Sequence, residues 1–269
     1  MIRFYRMANS FCVNRCNNCG LLFIGNIRES DIKDLYEREY YNNERTSLIG
    51  YKNYFAGYQA DYYNFIRFDK VLKKQGNGGR RLFDAGAGMG GMVRIMIDRG
   101  WDASGIDPSK YAIKTGIQMH GVDLQQSTIQ DFRPDGRFDV ITLIGVLEHL
   151  IYPNKDLIKL HGMLNPGGIV LITTIDAGLK LFKLKPPEHI FYFNRAQIRQ
   201  LLTRTGFAIL KINWFFRYYR LSDFIGRVGG LLFPSLTGTI DRFFRVFPGL
   251  DVITRCPTNE MCILAKKKL

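Results

Sequence analysis

The sequence predicts an α/β fold built on a doubly wound parallel sheet, and three observations predict it. Between residues 80 and 174, short runs of β-branched and aliphatic residues alternate with helical segments. The first strand of that series runs into a glycine loop, 86–91, which opens directly onto a helix. The second strand ends on an acid, Asp107, 21 residues after Gly86.

The elements follow in order. Residues 1–45 read as a small irregular unit, in which Cys12, Cys16 and Cys19 precede an apolar turn at 20–23 and a helical stretch at 30–40. From 51 to 74, Tyr58, Tyr62, Phe65, Ile66, Asp69 and Leu72 recur near helical spacing, and the glycines of 75–79 break the helix. Strands are expected at 81–85, 103–106, 122–125, 138–143 and 169–174, with helices at 92–99, 109–119 and 154–164 between them. Two further strands, 207–212 and 261–266, close the chain. About 45 residues separate these two, far beyond ordinary loop length. They interleave aromatics with arginines, as in WFFRYYR at 214–220. The expected division is a Cys-containing segment at 1–45, a helical cap at 46–79, and a core at 80–269 that carries a basic aromatic insertion at about 213–258.

Composition narrows the function classes. The 269 residues are 46% apolar and 23% charged, enough to bury a large core. No run of eighteen apolar residues occurs, and MIRFYRMANS lacks the apolar stretch and cleavage site of a signal peptide. Five cysteines, three of them crowded at 12–19, do not suit a disulfide framework for this length, so a reducing cytoplasm is expected. The net charge is +14, and from residue 180 onward sixteen Lys/Arg face only five acids. Such a field draws phosphates, nucleic acid or an anionic membrane surface, which adds a peripheral place at the inner membrane to the expectation.

The glycine loop is the sharpest signal. FDAGAGMGG at 83–91 holds Gly86, Gly88 and Gly91 at G-x-G-x-x-G spacing. Glycine lets the backbone turn tightly and approach a ligand, and the following helix offers unpaired N–H groups. Asp107 lies where a carboxylate accepts hydrogen bonds from ribose hydroxyls. A nucleoside cofactor is indicated. Spacing alone leaves its identity open, since dinucleotide oxidoreductases use the same glycines.

Resemblance narrows it. DAGAGMG at 84–90, with Asp84 two residues before the first glycine, resembles the first motif of class I S-adenosylmethionine-dependent methyltransferases. FDVITLIGVLEH at 138–149 resembles their fourth-strand signature, and NPGG at 165–168 the turn before their fifth strand. The resemblance covers roughly 58–212 and the last strand. It implies a Rossmann-like seven-stranded sheet with an antiparallel last strand, and S-adenosylmethionine as cofactor. By the same resemblance Asp84, Ala85, Gly86, Ala87, Gly88 and Gly90 hold the methionine part, Asp107 binds the ribose, and Pro108 lies beside the adenine. Thr128 and Ile129 border the adenine, and Ile144 and Gly145 lie under the sulfonium.

The cofactor carries an activated methyl, so the protein must align an acceptor and handle its proton. Two of the four histidines follow an acid, in Glu148-His149 and Glu188-His189. His149 falls just beyond the fourth strand, where open α/β sheets bind ligands, and is either a pocket wall or a catalytic group. Its pair with Glu148 resembles part of a metal-assisted set in quinone-pathway O-methyltransferases. That set has a carboxylate where this chain has Gly145, so no metal is expected. PPEHIFYFN at 186–194 resembles the E-H-I/L-x-x-F segment of a subfamily that includes sugar C-methyltransferases, whose histidine can serve as general base. His189 is thus a candidate base beside Glu188, or else it anchors a lid loop together with Tyr192.

Cys12, Cys16 and Cys19 supply three thiolates, one short of a structural zinc site. CNNCGLLF at 16–23 resembles the N-terminal zinc-ribbon-like segment of some of these methyltransferases, and this chain begins too late to supply the upstream pair. A degenerate ribbon with free thiols, and a zinc site completed by Cys256 or Cys262, both stay open. The insertion and residues 175–194 should emerge together over the acceptor pocket, as a lipid-contacting canopy or as a helical cap with its own small core. The expected activity is methyl transfer to a sugar, glycan precursor or lipid-like small molecule, with a lipid-linked acceptor and an anionic membrane surface as partners. A nucleic-acid methyltransferase, which the charge suggests, lacks the D/N-P-P-Y/F motif here. A non-catalytic membrane binder of the same fold is the third class.

Overall fold

The computed structural model describes residues 2–25, 27–32, 35–36, 38–41, 58–76, 78–179, 182, 184–225, 237–247, 249 and 251–268. Most of the first half of the expected cap and residues 226–236 of the insertion lie outside them. The core is a seven-stranded sheet. Its parallel strands are β4 (Arg81–Ala85), β5 (Asp102–Asp107), β6 (Asp123–Gln126), β7 (Phe138–Ile144) and β8 (Leu164–Ile175). The spatial order is β10-β11-β8-β7-β4-β5-β6, where β10 is Phe207–Arg220 and β11 is Ile253–Lys267. β11 runs antiparallel to both β8 and β10, as the resemblance implied.

Sequence chemistry sets the local structure. β7 is buried on both faces through Phe138, Val140, Ile141 and Leu143, which is why it reads as a continuous apolar run rather than an alternating one. Each such side chain contributes roughly 1.5–3 kcal/mol on burial. Helix α5 (Lys110–His120) starts at Ser109, whose hydroxyl accepts from the Ala112 N–H, and stops at Gly121 in the left-handed region at φ +60°. Helix α7 (Arg195–Arg204) starts with a capping box in which the side chains of Asn194 and Gln197 each accept from the other's backbone N–H. Helix α3 (Tyr58–Gln75) buries Phe68 and Leu72 against the sheet. Asp69 of the same helix is buried and accepts from Arg99 Nε at 2.6 Å and Trp101 Nε1 at 2.8 Å.

Two expectations change. Residues 1–45 are not irregular: β1 (Ile2–Ala8), β2 (Phe11–Cys16) and β3 (Leu22–Ile24) form an antiparallel sheet. Its fourth strand is β9 (Phe191–Tyr192), contributed by the segment after β8. The helical stretch at 30–40 divides into α1 (Glu29–Ile32) and α2 (Arg38–Tyr41). Second, β10 and β11 extend far beyond 207–212 and 261–266. Their pairing continues from Asn213↔Cys262 to Arg220↔Ile253, so the insertion opens and closes as a long antiparallel ladder. Its helical content among the described residues lies at 221–225 and over Thr237–Val246.

The strand order reverses between β4 and β7, the point where open α/β sheets bind ligands. β10 runs parallel to β8, so its extension leaves the sheet on the same edge as the glycine loop.

Candidate active site

The loop after β4 follows from its glycines. Gly86, Gly88 and Gly90 all have positive φ, at +84°, +54° and +74°. A Cβ at Gly86 would meet Val146 at 2.4 Å, so the loop backbone passes where no other residue fits. The N–H groups of Gly86 and Ala87 both donate to the Ile106 carbonyl at 2.8 Å. Asp107 ties the loop to the next helix: its carboxylate accepts from the Gly88 N–H at 2.9 Å and from the Ser109 N–H at 2.9 Å. Asp84 is buried at the end of β4 and accepts from the Thr142 hydroxyl at 2.6 Å. Burial pushes the Asp84 carboxyl up to about 7, the Thr142 bond opposing and the Asp107 charge adding. Burial likewise raises Asp107 to about 6 against its two backbone donors.

Across the switch point, the Gly145 N–H donates to the Thr173 carbonyl at 3.0 Å. A Cβ at Gly145 would meet nothing within 4 Å, so the chain beyond Ile144 borders open space. Pro108 is exposed beside the loop and its carbonyl accepts from Gln126 Nε2 at 3.2 Å. Thr128 and Ile129 follow β6, the first exposed and the second buried. The Thr128 hydroxyl donates to Asp131 at 2.7 Å, while Ile129 is buried in the main apolar core.

His149 ends the short 3₁₀ turn Leu147–His149, and His189 lies on the loop between β8 and β9. The fold brings their rings together, centroids 4.8 Å apart and nearly perpendicular. His149 Nδ1 lies 2.6 Å from the Glu188 carbonyl oxygen. A carbonyl only accepts, so Nδ1 carries the proton in this contact. His189 is buried; burial, then the nearby His149 and Lys185, pushes its pKa down to about 2. Glu148 is buried and its carboxylate accepts from the Thr174 hydroxyl at 2.7 Å. Burial shifts that carboxyl upward.

Sequence reasoning missed the tyrosines that close this corner. Tyr36 Oη lies 3.0 Å from His149 Nδ1, and the Tyr40 hydroxyl donates to Glu188 Oε1 at 3.0 Å. Their rings meet edge to face at 4.9 Å, and Tyr41 packs with Met89 of the glycine loop and with Ala112. The N-terminal segment therefore reaches from the cofactor loop to the histidines. Their spacing of four residues on a short helical stretch was the available signal.

Among the described residues the Cys16 and Cys19 thiols meet, and the other cysteines lie on other strands or strand positions. The Cys12 thiol faces Met7 Sδ at 3.6 Å. Cys16 and Cys19 form a tight turn closed by Gly20 at φ +73°, whose N–H donates to the Cys16 carbonyl. Hydrogen bonds from the backbone of Cys19 and Asn18 lower the Cys16 thiol's pKa. Cys256 and Cys262 both lie on β11. The one set of three metal-ligating side chains that converges among the described residues is Glu148, His149 and His189.

Comparison with known proteins fits this geometry. Residues 56–212 match the methyltransferase-domain family. The ubiquinone biosynthesis O-methyltransferase of Haemophilus ducreyi is 29% identical over 136 residues, which cover 45% of this chain and 56% of the relative. The chain thus matches little more than half the length of that curated relative. Among solved structures, a Burkholderia thailandensis 1,6-didemethyltoxoflavin-N1-methyltransferase with bound S-adenosylhomocysteine is similar at a TM-score of 0.58, with 13% identity and 99% of each chain covered. A Synechocystis magnesium protoporphyrin IX methyltransferase with bound S-adenosylhomocysteine is similar at a TM-score of 0.55, with 13% identity, covering 89% of this chain and 99% of its own. At such identity the likeness concerns the fold.

Proposed function

The chain belongs to the methyltransferase-domain family, and from that premise we propose that it transfers the methyl group of S-adenosylmethionine to a hydroxyl of a small-molecule acceptor. The observation that carries this reading is the Asp107 carboxylate clamped to the Gly88 N–H at the switch point, beside a loop no bulkier residue could form. In the proposed complex Asp84 and the backbone of Ala85, Gly86, Ala87, Gly88 and Gly90 take the amino-acid end. Asp107 takes the ribose hydroxyls, Pro108 flanks the adenine, and Ile144 and Gly145 border the sulfonium. The acceptor's hydroxyl lies toward His149 and His189, oriented by Glu188 and the two tyrosines. Burial lowers the basicity of His189, and we assign the proton to the adjoining His149 and His189 rings as a group.

Oxygen as the acceptor atom is supported by the curated relatives, which are named as O-methyltransferases. A sugar or glycan-precursor hydroxyl is a narrower form that rests on the 188–193 segment alone. A lipid-like or lipid-linked acceptor, met at an anionic membrane surface, is supported by the basic aromatic ladder on the cofactor edge of the sheet. There Arg255 lies over the Phe216 ring at 4.8 Å and Trp214 is exposed. No helix among the described residues is long and apolar enough to cross a membrane. Residues 12–23 are proposed as a zinc-ribbon-like remnant bearing free thiols.

Calorimetric titration tests the reading. S-adenosylmethionine and S-adenosylhomocysteine should bind the parent chain, and Asp107→Ala should abolish binding. An equal affinity in that variant would overturn the assignment. His189→Ala should cut turnover with cofactor affinity retained.

A further inference from the structure

We propose that Glu148, His149 and His189 form a three-ligand site for a divalent transition-metal cation on the acceptor side of the cofactor loop. One ligand atom from each lies within 4.8 Å of the other two. Donors on one such ion sit roughly 3–3.5 Å apart, a gap that side-chain rotation closes. Sequence reasoning discounted a metal because position 145 is glycine. The fold supplies a different third ligand, His189, from the loop after β8, 40 residues beyond His149.

Three features point to a ligand here. The His149 Nδ1–H is held by the Glu188 carbonyl, which in the neutral imidazole leaves Nε2 as the ligand atom. That is the outer support metal-binding imidazoles use. Glu148 is oriented in the same manner by the Thr174 hydroxyl. His189 Nδ1 is buried without a hydrogen-bond partner among the described residues. A buried polar nitrogen without a partner costs free energy unless something fills its place. Two imidazoles and one carboxylate suit zinc, manganese, iron or cobalt better than magnesium or calcium. A cation there polarises the acceptor's hydroxyl and eases loss of its proton. This purpose rests on the methyl-transfer reading, whereas the binding itself does not.

The test is a titration of the chelator-treated full chain with Co²⁺, followed by visible absorption, with S-adenosylhomocysteine affinity measured in parallel. We expect one equivalent of Co²⁺ to give d–d bands without thiolate charge-transfer absorption. Affinity should fall at least tenfold in His189→Ala, and by roughly 10–100-fold in Thr174→Val, which removes only the outer support. Both variants should keep the parent's affinity for S-adenosylhomocysteine. Absence of d–d bands, thiolate bands alone, or unchanged Co²⁺ affinity in both variants would overturn the proposal. A parent chain that binds Co²⁺ but not S-adenosylhomocysteine would instead overturn the methyl-transfer reading.

Discussion

At the residue scale, two buried carboxylates make opposite demands on pH. Asp84 and Asp107 stand at about 7 and about 6, above the ordinary 3.8. The free chain therefore binds more protons than its unfolded form between those limits, and its stability falls as pH rises through that window. In the proposed complex, cofactor binding needs the ionised forms, for the ammonium group and the ribose hydroxyls. Affinity for S-adenosylhomocysteine should thus weaken as pH drops from about 7.5 to about 5.5, while the free chain's melting temperature rises relative to Asp84→Asn. Parallel calorimetry and thermal melts check both signs. Tyr40→Phe removes a donor to the Glu188 carboxylate. A bond of this kind is worth about 1.5–3 kcal/mol, so turnover should fall by roughly 10–100-fold with cofactor affinity unchanged. Tyr40 was not legible as a site residue because its partner lies 148 positions away and only the folded chain joins them.

At the element scale, β9 joins two parts of the molecule that look separate in sequence. Its pairing with β3, the Ile24 N–H donating to the Ile190 carbonyl and the Ile190 N–H donating to the Glu148 carbonyl make one lattice of the N-terminal sheet and both histidine segments. Gln197 of α7 adds a bond to the Cys19 carbonyl at 2.8 Å. Tyr192 is 1% exposed, packs with Val13, Leu22 and Ile24, and accepts from the Lys185 N–H at 2.8 Å. Tyr192→Ala should cost about 3–5 kcal/mol and lower turnover more than cofactor affinity, since the glycine loop lies elsewhere. Denaturant melts and calorimetry on the variant check this. β4, β7 and β8 were legible because burial on both faces writes a continuous apolar run. β1 was not, because Ile2, Phe4, Tyr5 and Met7 are exposed on both of its faces and leave no alternation to read. The outer halves of β10 and β11 escaped notice for another reason. Their residues pair with partners 33 to 49 positions distant, from Arg220↔Ile253 to Asn213↔Cys262, rather than with a periodic core.

At the scale of the whole molecule, the proposed membrane surface rests on charge. The +14 excess concentrates in the part of the chain that carries the β10–β11 ladder. Some of those arginines are already engaged, Arg217 with Glu260 at 3.3 Å and Arg220 with Asp251 at 3.5 Å. Lys211, Arg242 and Arg255 are exposed, as are Trp214, Phe243 and Phe247, and these supply the cations and apolar side chains that the proposed contact would use. Each cation near an anionic bilayer contributes about 1 kcal/mol, and this attraction is screened within a Debye length of roughly 10 Å at 0.1 M salt. The full chain should therefore co-sediment with phosphatidylglycerol-containing vesicles at low salt and dissociate as salt rises toward about 0.5 M. Pure phosphatidylcholine vesicles should retain far less. Retention equal on both lipids and insensitive to salt would assign the contact to the exposed aromatics alone. No retention on either would mean that the acceptor arrives from solution, which would leave the methyl-transfer site intact and remove the membrane from its working surroundings.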